Sequence, residues 1–194
     1  MRSRVWLIVV CLCFLPLSLL AQEDSQKAAA PARILLLITE QNIGSPQHAW
    51  WSSVVDLSIV ESSLAQALSE AGYQVVDPES AQSVLKKEPA YRLVRMRECD
   101  MTDLANLQGA EYVIKGSAIA SQGSRPPQSG MRSYYARVNA RLIRVKDHMA
   151  VAAFNAWGKS VHSDAVAGGS EALEDAGRAL AQKVFHVLKR EGVR

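Results

Sequence analysis

The sequence predicts a single α/β domain, and three stretches carry that expectation. In residues 109–122, GAEYVIKGSAIASQ, a glycine ends a helical pattern and a long apolar run follows. Tyr112, Val113 and Ile114 are types that fit a pleated, half-buried surface, and Gly116 would cost a helix interior about 1 kcal/mol. Residues 34–39, ILLLIT, form a short continuous apolar run suited to a strand covered on both faces. Between the two, residues 52–71 carry apolar side chains at three- and four-residue steps, the mark of an amphipathic helix. The 109–122 run is expected to be the central strand, with Lys115 reaching solvent along its own stem.

The amino-terminal end reads as an export signal. Arg2 and Arg4 are followed by an uncharged run over residues 5–21, interrupted by Pro16 and ending on Ala21. This is the pattern of a secretory signal peptide, 1–21, with cleavage expected after Ala21 and a periplasmic mature chain. Cys11 and Cys13 lie inside the apolar run, and neither sits where a lipoprotein cysteine would follow it. The mature chain keeps Cys99, which by itself forms no internal disulfide. Residues 22–33 read as a flexible leader and 34–194 as one domain. Lys and Arg number 22 against 19 Asp and Glu, so loss of Arg2 and Arg4 leaves the balance close to neutral. Export and near-neutrality together speak against nucleic acid as a partner.

The first strand leads into EQNIGSPQHAWW, residues 40–51, a connection longer than usual, and long loops in compact domains are commonly functional. Trp50 and Trp51 are adjacent and cannot face the same way. One is expected to anchor the next helix and the other to face outward as a contact surface. Leu57, Val60, Leu64, Ala67, Leu68 and Ala71 form the apolar side of that helix, and Gly72 ends it. YQVVDP supplies a second strand that stops at Pro78. Asp77 is expected to cap a short helix buried through Ala81, Val84 and Leu85.

A basic stretch with Arg92, Arg95 and Arg97 precedes CDMTDLANLQGA, where Asp100 or Thr102 is expected to cap a helix with Leu104 and Leu107 inward. Beyond the central strand, GSRPPQSG reads as a hairpin loop or a short polyproline segment. Residues 134–145 alternate, with Ala136, Val138, Ala140 and Leu142 on one face and Arg137, Asn139 and Arg141 on the other, so this strand has one solvated face. Lys146, Asp147 and His148 turn the chain into an alanine-rich last strand over 149–161. Gly168 and Gly169 are expected to precede a closing helix over 170–190, whose acidic start and basic end suit the helix dipole.

No catalytic constellation is legible. His48, His148, His162 and His186 lack metal-helix spacing and none lies near a cysteine, so neither a metal nor a cofactor is expected. A nucleophile elbow, a phosphate-binding loop and a dinucleotide fingerprint are all missing from the sequence. The chain is therefore expected to act by contact rather than as an enzyme. His48, Trp50 and Trp51 on the first loop and Arg125, Pro126 and Pro127 on the hairpin are the candidate partner contacts. Two readings of other classes stay open: a thiol-dependent hydrolase using Cys99 or His48, and a small-ligand carrier with its site near Glu40 and Lys115.

The motifs ILLLITEQNIG, AGYQVVDP, GAEYVIKGSA, VNARLIRV and GGSEAL follow one another in an order that resembles the amino-terminal domain of the TolB translocation protein and the middle domain of flagellar assembly protein T. The periplasmic domain of the curli secretion channel protein is a more distant resemblance, and ITEQNIG is most similar to the flagellar domain. The resemblance spans nearly the whole mature chain. It implies a two-layer sandwich, a mixed sheet of about five strands with three to four helices against it. It also implies a non-enzymatic adaptor or assembly factor, peripheral to the outer membrane at most, with envelope or basal-body proteins as partners.

Overall fold

The computed structural model describes residues 31–44, 58–76, 98–125 and 130–193. Among them, β1 (Arg33–Gln41) has no polar alternation because both of its faces are covered. Ile34, Leu36 and Ile38 enter a large core with α1 (Ile59–Glu70), while Leu35 and Leu37 enter a smaller core on the opposite side with α2 (Glu98–Leu107). β2 is a two-residue strand, Gln74–Val75, parallel to the start of β1. β3 (Tyr112–Gln122) lies parallel to β1 on its other side, and the connection between them carries α1, β2 and α2. β4 (Arg132–Arg144) and β5 (Met149–His162) continue antiparallel, joined by a 3-10 turn (Val145–Asp147) that ends on His148 in the left-handed region. The order β2-β1-β3-β4-β5 makes a mixed five-stranded sheet with β3 at its centre, as the residue types of 112–114 lead one to expect.

α3 (Ala165–Arg190) closes the chain and lies with α1 over one face of the sheet. Its approach is close because small residues meet there. A Cβ on Gly158 of β5 would stand 2.0 Å from the Ala172 carbonyl oxygen, and one on Gly168 would stand 2.2 Å from the Tyr134 ring. The alternation along β4 is as expected, with Tyr134, Ala136, Val138, Ala140 and Leu142 buried towards the helices. Among the described residues, the opposite face is covered by α2 at one end, over Leu35, Leu37, Val113 and Ile143. Among the described residues no helix is long and apolar enough to cross a membrane.

Three local expectations are corrected. α3 begins at Ala165 behind Asp164, whose carboxylate accepts from the Ala167 N–H at 2.8 Å, so Gly168 and Gly169 lie inside the helix rather than before it. Their missing side chains make room for Tyr134 and Asn42, a packing role that a helix-breaking reading of Gly-Gly overlooks. In α2 the inward residues are Met101, Leu104 and Ala105, while Leu107 is 62 % exposed. α2 begins at Glu98, so Asp100 and Thr102 lie inside it rather than ahead of it, and the buried Thr102 has its hydroxyl 2.6 Å from Nδ1 of His148. The helix expected over 52–71 is seen from Ile59, and the one expected after Asp77 falls outside the described residues.

Candidate interaction surface

His48, Trp50, Trp51, Pro126 and Pro127 lie outside the described residues, whereas Arg125 is exposed at the hairpin end of β3. Their points of departure are nevertheless placed. Gln41 is in register with Ile119, so the loop after β1 leaves the sheet at the end where the hairpin between β3 and β4 turns. Both candidate loops thus start from one rim of the sheet.

Glu40 and Lys115 do not come together. Glu40 shares the parity of Ile34, Leu36 and Ile38 and points towards α1, whereas Lys115 shares the parity of Val113 and points to the opposite side. Glu40 is 5 % exposed and accepts from the backbone N–H groups of Ile59 (3.3 Å) and Val60 (2.9 Å), the first amides of α1. Those amides have no partner within the helix, so the carboxyl group at the end of β1 serves as a tertiary cap. Glu40→Ala is expected to lower stability by about 2 kcal/mol in urea denaturation, since it strands two donors.

α1 returns the contact. Ser58 and Glu61 form a reciprocal capping box, and Glu61, 2 % exposed, also accepts from the Ile38 N–H of β1 at 2.7 Å. β2 is too short to pair with β1 at that point, so the side chain of a helix takes the place of a strand. Burial pushes the Glu61 carboxyl up to about 7; the amides of Ile38 and Ser58 and the Ser58 hydroxyl oppose this, and nearby Glu40 adds to it. The loop-proximal carboxylates therefore join β1 to α1, which spacing along the chain could not reveal. Cys99 falls in α2 with its side chain outside the described residues, and His48 is likewise outside. Among the described residues no group of three or more His, Cys, Asp or Glu side chains stands together as a metal site.

The face left open beyond α2 is built from the outward positions of three strands. In register across it stand Ser121, Tyr135 and Lys159, and in the next row Ile119, Arg137 and Trp157. Ile119, Tyr135, Trp157 and Val161 are exposed, Trp157 to 59 %. The Arg137 guanidinium lies over the Trp157 ring, 4.8 Å from its centroid. That is cation–π geometry. The outer edge of β5 is guarded by α3: Asp175 accepts from the Lys159 N–H at 3.1 Å, and the Lys183 ammonium donates to the Asn155 carbonyl. Charged side chains in such places oppose the addition of a further strand. The alternation of Arg137, Asn139 and Arg141 signalled a solvated face. Trp157 went unassigned because β5 reads only as an alanine-rich strand with no clear alternation.

The model of the FlgO protein family matches residues 58–157, from the capping serine of α1 to Trp157 on β5. No curated protein matches. Among solved structures, the chain is similar to lipoprotein GNA1162 from Neisseria meningitidis at 16 % identity, covering 84 % of this chain and 99 % of that one, with a TM-score of 0.45. It is similar to the hypothetical protein CT253 from Chlamydia trachomatis at 12 % identity, with coverage of 84 % and 98 % and a TM-score of 0.43. For the LpoB C-terminal domain from Salmonella enterica the values are 17 %, 72 %, 87 % and 0.38. The family match does not extend to TolB or to flagellar assembly protein T, which the motifs resemble. It spans just over half of the sequence and takes in α1, the whole of β3 and β4 and the aromatic row of the open face, and by it the chain belongs to the FlgO family.

Proposed function

We propose that the protein is a non-enzymatic adaptor of the bacterial cell envelope that acts by protein–protein contacts in flagellar basal-body assembly. The observation that carries this reading is the open half of the sheet. A large aromatic and apolar surface with an arginine at its centre has the composition of an interface, and it lies on a rigid antiparallel sheet. Membership in the FlgO family supports the flagellar setting. The loop over residues 40–51 and the hairpin with Arg125, Pro126 and Pro127 depart from the same rim of the sheet, where β1 and β3 end. The export signal read in residues 1–21 would deliver it to the periplasm.

In-cell crosslinking followed by pull-down from the envelope fraction tests the proposal. The wild-type chain is expected to enrich basal-body proteins. Trp157→Ala is expected to lose them while its urea midpoint stays within about 0.5 kcal/mol of wild type, because the side chain is on the surface. Undiminished capture by a folded Trp157→Ala protein would remove the sheet face from the account.

A further inference from the structure

We infer that the joint between β1 and α1 is a proton-operated latch: protonated Glu61 holds the first turn of α1 on β1, and its ionisation beside Glu40 lets that turn open while the rest of the fold stays closed. The inference does not depend on the sheet face. Two carboxyl groups are buried at this one joint, Glu40 at 5 % exposure and Glu61 at 2 %. They cross it in opposite directions. Glu40 of β1 accepts from the Ile59 and Val60 N–H groups of α1, while Glu61 of α1 accepts from the Ile38 N–H of β1 and from the Ser58 N–H. Among the described residues neither carboxyl has an ion-pair partner. A second negative charge in such a place is costly, because little solvent screens it and like charges repel.

The elements packed around the joint bring no charge that would offset the second one. β1 contributes Glu40, and β2 contributes Gln74 and Val75, neither of which ionises. α3 meets α1 at Gly177, which lies against Ser63 and Val60. Its Glu174 and Arg178 pair with each other, and its Asp175 and Lys183 are engaged on β5. On α1 itself, Glu70 is at the far end beside Gln66. Burial, and after it the Glu40 charge, pushes the Glu61 carboxyl up to about 7, against the Ile38 and Ser58 amides and the Ser58 hydroxyl. Below that value the joint holds one charge, and above it two. The strain is relieved locally because β1 stays paired with β3 over residues 34–41 and α3 stays on β4 and β5 through the large core. Opening the first turn of α1 hydrates both carboxylates and leaves those contacts in place.

The test is amide hydrogen exchange of the mature chain at pH 5.5 and pH 8, each rate taken relative to that of an unstructured peptide at the same pH. The Ile38, Ile59 and Val60 amides are expected to lose protection about tenfold or more at the higher pH, and to exchange there well ahead of the Val138 and Leu180 amides of the core. In Glu61→Gln, which cannot ionise, the protection of the joint is expected to be the same at both pH values. Carbon-13 NMR of the Glu61 carboxyl supplies a direct reading: its midpoint is expected near 7 in the wild type and lower in Glu40→Gln, where the neighbouring charge is gone. Joint amides no less protected than those of Val138 and Leu180 at pH 8 would show that only unfolding of the whole domain frees them, and the latch would fall. A pH-dependent loss that persists in Glu61→Gln, or a Glu61 midpoint that Glu40→Gln leaves unmoved, overturns it as well.

Discussion

Valine in place of Gly158 is expected to cost the domain about 3 kcal/mol or more of stability. The atoms that a Cβ at this position would meet are backbone: the Ala172 carbonyl oxygen at 2.0 Å and the Ala176 nitrogen at 2.4 Å. Neither can rotate away, so α3 would have to lift from the sheet and open the core that Ala172, Leu173, Ala176 and Leu180 share with β4 and β5. Gly177→Ala is expected to be milder, because the nearest atom there is the rotatable Ser63 hydroxyl, although the Val60 carbonyl at 3.2 Å limits the relief. Gly130→Ala is the control, since its Cβ would meet nothing within 4 Å. Urea unfolding of the three variants checks the ranking. A Gly158→Val protein as stable as Gly130→Ala would mean that α3 does not lie on β5 as described.

Stability is expected to fall as pH rises from about 4.5 to about 7 and then to level off, through Glu61. Its carboxyl is pushed up from 4.5 to about 7 in the folded chain, chiefly by burial. Below pH 4.5 the group is protonated in both folded and unfolded chains and has no differential effect. Between 4.5 and 7 the unfolded chain loses the proton while the folded chain holds it. The stabilisation present at low pH is therefore lost as pH passes through the folded value, and the difference amounts to roughly 3 kcal/mol. Glu61→Gln cannot ionise, so its stability relative to wild type is expected to rise across that interval. Urea midpoints of both proteins at pH 5 and pH 8 provide the check. Parallel curves would place Glu61 in a more hydrated setting than its contacts with Ile38 and Ser58 indicate.

Which elements form was largely decided by local sequence. The apolar run of β1, the β-branched and aromatic start of β3, the alternation of β4 and the helical spacing of α1 and α3 each express one periodicity. Periodicity tells which face of an element seeks cover. It also announced the solvated face of β4 before any neighbour was known. What supplies the cover is a property of the assembled chain. Glu40 sat where ligands are often bound, and only the placement of α1 beside β1 shows it capping that helix, with Glu61 answering from the other side. Gly168 and Gly169 looked like punctuation because a local reading sees missing side chains as a break, while their reason is the Tyr134 ring of β4 and Asn42 just after β1, both distant in the chain. Trp157 had no pattern of its own. It became part of a surface when register set it beside Arg137, twenty residues earlier in the chain, on a face that α2 is too short to cover. The sequence by itself thus determined the main strands and the buried sides of β1, β4, α1 and α3. The partners of the carboxylates, the close glycine contacts and the open aromatic face were decided by tertiary structure, because each depends on residues that only strand register and helix packing bring together.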